Sequence, residues 1–420
     1  MKRCICLLTT IGLLVVVRST VAQTWTQTTA PSGGWRAVAS SADGSKLIAS
    51  GILNNVPNGS WLYFVSTNSG ATWTTNIQPQ VNSTYGGWAG VSISADGTIF
   101  TGWIANEIWV STNSGNTWIS NTVPNASVTN FAWFGSVALS ADGSKMVAGA
   151  GLGTSGSPFG GIYLSTNWGV SWEQTTAPTN NWTSVASSAD GSRLVATIST
   201  KDNTTLRNFI YVSTNSGTTW TLTEAPTNLP WISVASSADG TKLVAANSYS
   251  IWGSIYTSTN SGQNWVSNNL PSTQWMGVAS SADGSKLVAI AQSLPIYTST
   301  NSGVTWVPNN ISSPVWKSVA SSADGTKLVA ASIFGINGMG TGNIFTLQTT
   351  PTPQLNIASS ASNLALSWTI PSINFVLQQS PDLISWALVT NAPALNFTNL
   401  QNQVTLSPTN SSGFFRLMSQ

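Results

Sequence analysis

"TSTNSGVTW", residues 298–306, and "VASSADGSKL", residues 38–47, decide the fold, because the chain keeps rewriting both. The first returns as STNSGATW at 66–73, STNSGNTW at 111–118, STNWGVSW at 165–172, STNSGTTW at 213–220 and STNSGQNW at 258–265. The second has variants at 91–100, 137–146, 185–194, 234–243, 278–287 and 319–328. Its aspartates, Asp43, Asp96, Asp142, Asp190, Asp239, Asp283 and Asp324, stand 41 to 53 residues apart. That period, with two turn signals per unit, predicts a propeller with four strands per blade.

One unit shows the pattern. Trp275 to Ser281 alternates and runs into Ala282-Asp283-Gly284, a hairpin signal. Lys286–Ile290 reads as the second strand, Ile296–Ser299 as the third, and Thr305-Trp306-Val307 opens the fourth after the Asn301-Ser302-Gly303 turn. There are seven SADG-type turns but six STNSG-type turns. The last unit ends at Ile344-Phe345-Thr346 without its own turn and tryptophan, whereas Thr24-Trp25-Thr26-Gln27 stands unpaired ahead of Trp35. The N-terminal strand is therefore expected to complete the last blade. The reading is all-β: a seven-bladed β-propeller followed by a small C-terminal β-sandwich.

The phrase S-T-N-S-G-x-T-W closely resembles the Asp-box, or BNR, repeat of the sialidase, sortilin and photosystem II assembly factor-like propellers. The resemblance spans residues 24 to about 347. In place of the box aspartate this chain carries Asn68, Asn113, Asn167, Asn215, Asn260 and Asn301. An asparagine oxygen can still accept backbone N–H bonds, and Gly70 and its equivalents can supply positive φ. The turns are read as scaffold, with the tryptophans that follow (Trp73, Trp118, Trp172, Trp220, Trp265, Trp306, and Trp25 for the last blade) as blade core. The resemblance implies that the motif lies away from any catalytic centre.

The chain has 420 residues; residues 1–22 read as a secretory signal peptide, with Met1-Lys2-Arg3, an apolar run from Ile5 to Val17, and Thr20-Val21-Ala22 before the cut. Export follows as the expectation. Both cysteines, Cys4 and Cys6, fall inside this peptide, and the chain has no histidine. The mature chain, 23–420, thus lacks the commonest general base and the commonest metal ligands, so neither metal nor cofactor is expected. No stretch of the mature chain reaches the length of a membrane span. Charged residues make up 6% of the chain. A surface so poor in clustered Lys and Arg excludes nucleic acid as a partner.

Seven of the 12 acidic residues are the repeated turn aspartates. Lys46, Lys145, Arg193, Lys242, Lys286 and Lys327 follow them three residues on, and a local pairing across each hairpin is the reading. Outside the repeat the propeller holds Glu107, Glu173, Asp202 and Glu224. Glycoside hydrolysis needs two carboxylates about 5–10 Å apart. Asp202 with Glu224 is the best available pair and Glu107 the reserve, but scattered surface carboxylates explain them better. The sialidase resemblance implies three substrate-binding arginines, and in the mature propeller only Arg36 and Arg207 lie outside the repeat position; xyloglucanases of this type use two propellers. The reading is noncatalytic.

Tryptophan carries the binding argument. Trp35, Trp88, Trp182, Trp231, Trp275 and Trp316 open the first strands, with Phe134 in blade three, and could ring the mouth of the channel. Packing between blades competes with that reading. Trp61, Trp103, Trp133 and Trp252 lie on or beside the non-repeated links, where loop variation places function. A neutral surface rich in Asn, Ser and Trp suits a polysaccharide, or an extracellular protein, bound by a monomer. A structural role in a surface layer or matrix is the alternative that needs no site.

Thr349-Thr-Pro-Thr-Pro353 reads as a linker, and 354–420 as a small β-sandwich resembling the immunoglobulin-like modules of secreted bacterial proteins. Its strands are read at 355–357, 364–368, 375–379, 386–389, 404–406 and 414–417.

Overall fold

The computed structural model describes residues 25–53, 61–76, 90–104, 107–123, 132–152, 160–199, 208–248, 252–309, 311, 315–333 and 341–348 of the repeat region, and 355–359, 363–369, 375–381, 384–397, 401–406 and 414–419 beyond it. Every element among them is a strand. Blade six shows the unit: Trp275–Ser280, Leu287–Ala291, Ile296–Ser299 and Val307–Asn309 form one antiparallel sheet in sequential order. The fourth strand starts just after Trp306 rather than at Thr305, because the turn's hydrogen bonds still hold Thr305. Six sheets are built this way from consecutive strands. The seventh takes Trp316–Ser321, Lys327–Ser332 and Ile344–Gln348 and is completed by Trp25–Gln27, with Trp25 opposite Leu347. The N-terminal strand closes the propeller, as the turn arithmetic required.

The blade count is written a second time in hydrogen bonds. The alanine of each SADG turn donates its N–H to the alanine carbonyl of the next blade, from Ala42 to Ala95, Ala141, Ala189, Ala238, Ala282 and Ala323. Ala323 then donates back to Ala42 at 2.7 Å. A small residue is needed here because seven chains converge on one axis.

Each turn is self-contained. In the first, Asp43 Oδ1 accepts from Ser41 Oγ at 2.6 Å and from the Ser45 N–H at 2.9 Å, while Gly44 takes φ +66°. The basic residue three positions on does not pair across its own hairpin. Lys46 Nζ donates to the Gly97 carbonyl of the next blade, Lys145 to Asp190, Lys242 to Asp283 and Lys286 to Asp324. The stems lie flat on the neighbouring turn glycine, where a Cβ on Gly284 would stand 2.7 Å from Lys242 Cδ. A lysine stem buries its methylenes on that glycine and keeps its ammonium in water. The expected local pairing is thus replaced by a link between blades.

The STNSG turns follow the asparagine reading. Asn68 Oδ1 accepts the Thr72 N–H at 2.8 Å, Asn68 Nδ2 donates to Thr72 Oγ1, and Ser66 Oγ takes the Gly70 N–H at 2.9 Å. Gly70 has φ +88°, and Ser69 before it is also left-handed at +56°, a second positive φ that nothing in the sequence announces. The Trp73 indole N–H returns to the Gly70 carbonyl.

Beyond the propeller, Asn356–Ser359, Leu364–Thr369, Gln401–Leu406 and Ala394–Asn396 form one sheet, and Ala387–Leu388, Phe375–Ser380 and Phe414–Ser419 the other. Leu366, Trp368, Leu377 and Val404 are buried between them, the alternating positions of a sandwich. The strand at Ala394–Asn396 is too short, at three residues, to stand out in the sequence. Its Leu395 packs against Ala42 and Ala323 of the alanine ring.

Candidate functional site

The innermost strands enclose a channel along the propeller axis. Its wider part, about 460 Å³, opens toward the links between blades, and a narrower part of about 170 Å³ leads to the alanine ring. A volume of 460 Å³ falls in the range of small-ligand sites.

The repeated first-strand tryptophans do not line it. Trp35, Trp182, Trp231, Trp275 and Trp316 are buried to 1% exposure or less. Each packs between blades, as Trp35 does with Val329 and Trp316 with Val288 of the preceding blade, and meets an aromatic ring of its own blade: Trp35 meets Phe64 edge-on at 4.9 Å, Trp182 meets Tyr211, Trp231 meets Tyr256, Trp275 meets Tyr297 and Trp316 meets Phe345. Such T-shaped pairs hold the face that a sugar would need. Trp103 is also buried, over Gly90, at the channel wall. Trp252 is 64% exposed on the link of blade five. Trp61 and Trp133 stand at strand ends, Trp61 opposite Ile52 and Trp133 opposite Gly151. Trp88 lies outside the described residues.

What reaches the channel is the residue after the tryptophan. In six blades the first strand breaks register at this residue: the ladder skips from Trp35 to Ala37, Phe134 to Ser136, Trp182 to Ser184, Trp231 to Ser233, Trp275 to Gly277 and Trp316 to Ser318. A β-bulge re-aims the side chain it adds. The bulged residues are Arg36, Gly135, Thr183, Ile232, Met276 and Lys317, and all but Arg36 line the channel. They lean on the seam to the next blade. Thr183 Oγ1 donates to the Trp231 carbonyl at 2.7 Å, and Met276 packs on the cluster that holds Trp316. At Gly135 a Cβ would come 2.5 Å from the Trp182 carbonyl oxygen.

This ring is where the repeat stops dictating chemistry. Around it run two cations in neighbouring blades, Lys317 and Arg36, then glycine and threonine, then the apolar Ile232 and Met276. Below it the wall is hydroxyl-rich. Ser318, Ser184 and Ser233 each accept a backbone N–H from the next blade, from Val38, Val234 and Val278. Burial and the nearby Arg36 charge push the Lys317 ammonium below the ordinary lysine range.

The carboxylates gather nowhere comparable. Glu224 is exposed beyond the outer strand of blade four. Glu107 stands in the third strand of blade two, where its Oε2 accepts the Trp109 indole N–H at 3.1 Å. Asp202 falls outside the described residues. No acidic side chain lines the described channel.

No protein-family model and no curated protein matches the chain. Solved structures do. Hydrazine synthase of Kuenenia stuttgartiensis superposes with TM-score 0.56 at 14% identity, covering 80% of this chain and 99% of that one. YCF48 from Cyanidioschyzon merolae gives 0.54 at 15% identity, covering 77% and 98%. U3-55K gives 0.56 at 10% identity, covering 77% and 98%. Proteins of such different kinds share the architecture with this chain and nothing narrower: it is a β-propeller.

Proposed function

We propose that this chain is an exported, noncatalytic binding propeller that takes a polysaccharide or a protein segment at the link-side mouth of its channel. The observation that carries this reading is the bulge ring. The valine three residues after the tryptophan position repeats in all seven blades and serves packing, whereas Gly135, Thr183, Ile232, Met276 and Lys317 differ at equivalent places around one opening, with Arg36 at the same bulge position of blade one. Variation at one equivalent position around the opening of a repeated scaffold is the pattern of a site. Polysaccharide is the better of the two ligands, because serine hydroxyls and an apolar arc together match a sugar's hydroxyl rim and ring face.

The test is binding of residues 23–420 to a broad glycan array, with released sugar assayed in the same wells. Binding without release, lost in Ile232→Trp, which fills the channel, and retained in Trp252→Ala, is the expected outcome. Release of sugar would instead favour a hydrolase resting on Glu224 and Asp202. Binding that Ile232→Trp leaves intact would move the site away from the channel.

A further inference from the structure

The seven SADG turns are nearly identical in sequence, but their surroundings are not. Thr326, two residues after the blade-seven aspartate, is 2% exposed, whereas the same position in the other six blades, Thr241 among them, is half-buried. Asp324 and Asp43 are half-buried, while Asp96, Asp142, Asp190, Asp239 and Asp283 are exposed. Burial holds the Asp324 carboxyl above the ordinary aspartate value, where the other six lie below it. A difference that the repeat does not encode comes from outside the repeat, and this one centres on blades seven and one.

The sandwich supplies the cover. Leu395, in the strand Ala394–Asn396, packs against Ala42 and Ala323, the ring alanines of blades one and seven. Among the described residues it is not part of the sandwich's own core, which is built on Leu366, Trp368, Leu377 and Val404. Its strand stands last in its sheet, an edge that would otherwise lie open. The tether fits this placement. Gln348, at the end of blade seven, donates through Nε2 to the Ser69 carbonyl on the turn rim at 3.4 Å, and the chain from there to Leu355 spans at most about 25 Å. The narrow part of the channel is lined by the alanines of that same ring.

We infer that the C-terminal sandwich stoppers the channel at the alanine ring, so that the site takes the end of a linear glycan rather than a chain threaded through the propeller. The inference rests on the reading above that the channel is the ligand site, and it adds which part of the ligand enters. With the turn side sealed, a polymer has one way in and none out. The link-side part, about 460 Å³, has the volume of a small-ligand pocket, so it admits terminal sugars and leaves the rest of the chain outside.

The seal is tested without any glycan. Residues 23–420 contain no cysteine, so Thr326→Cys and Thr241→Cys each place a single thiol at the same turn position, in blades seven and five. Labelling with a maleimide-polyethylene glycol should be at least about tenfold slower at Thr326→Cys than at Thr241→Cys. Adding Leu395→Asp, which sets a carboxylate against the alanines, should bring the two rates within about twofold, with the melting temperature as the check on folding. Equal rates before that change, or a slow Thr326→Cys that Leu395→Asp leaves slow, overturns the seal.

End-on entry is tested on an array of linear oligosaccharides printed twice, each attached once through its reducing end and once through its other end. Attachment blocks one terminus and leaves the interior free. The expected result is binding at least about tenfold stronger in one orientation. Equal binding in both orientations overturns end-on entry and leaves the binding reading in place. Silence in both overturns the binding reading and end-on entry with it, while the thiol rates still decide the seal.

Discussion

Gly284→Ala probes the link between blades most sharply. Gly284 sits in the blade-six turn at φ +65°, and an added Cβ would meet Lys242 Cδ at 2.7 Å, Lys242 Cβ at 2.8 Å and Ser237 Cβ at 3.2 Å, all in blade five. Holding alanine in the left-handed region costs about 1–2 kcal/mol. Crowding a packed contact costs about 1–3 kcal/mol more. The variant should therefore lose about 2–5 kcal/mol in guanidinium denaturation followed by tryptophan fluorescence. Lys242→Gly removes the stem and the Nζ bond to the Asp283 carbonyl, 2.8 Å in the wild type, for about 1 kcal/mol plus the backbone cost of glycine. Combining the two should be milder than their sum by at least about 1 kcal/mol, since the overlap exists only when both side chains do. Additivity within about 0.5 kcal/mol would refute the link between blades. Coupling of Lys242 with Asp239 instead would restore the local hairpin pairing.

Three further outcomes follow from the packing and the charges. Trp275→Ala, which empties a fully buried site against Tyr297, should cost about 3–5 kcal/mol by denaturant titration, whereas Trp252→Ala, at 64% exposure, should stay within about 0.5 kcal/mol. Burial works against ionisation of Asp43, Asp96, Asp142, Asp190, Asp239 and Asp283, but their serine and threonine donors outweigh it and set these carboxyls below the ordinary aspartate value. Their stabilisation is complete above the unfolded value and drains as pH falls through the lower folded ones, while Asp324, raised by its deeper burial, contributes the opposite sign. Melting temperature should hold from neutral to about pH 5 and fall steeply below about pH 4; a flat profile down to pH 3 would contradict this. Asn68→Asp should change stability by less than about 1 kcal/mol, because the Oδ1 bond to the Thr72 N–H survives and the Thr72 hydroxyl can turn to donate. Asn68→Leu, which keeps neither, should cost about 1–2 kcal/mol.

Much of the wheel is legible in the chain because the signals are local. Asn301-Ser-Gly303 and Ala282-Asp-Gly284 mark their turns through side chains that bond within five residues, and the surplus SADG turn is enough to demand an exchanged strand. The site is harder to read, and the reason is one residue. Strict alternation makes Trp316 and its equivalents look channel-facing, but the bulge at Lys317 resets the phase, so the tryptophan turns into the blade and its successor to the axis. No shared residue type announces the bulge, since Arg36, Thr183, Ile232 and Lys317 have nothing in common except position. The lysine links are hidden in the sequence for a similar reason. Lys242 lies three residues from Asp239 in sequence, and only the ring geometry shows that its stem reaches sideways to Asp283.

Hydrogen exchange of residues 23–420 with and without the glycan captured on the array tests the central claim most directly. The account predicts slowed exchange in the first strands around Arg36, Thr183, Ile232, Met276 and Lys317, in several blades at once, with the outer strands such as Val266–Ser267 and Val307–Asn309 unchanged. Protection confined to those outer strands, or to the sandwich after residue 354, would contradict it.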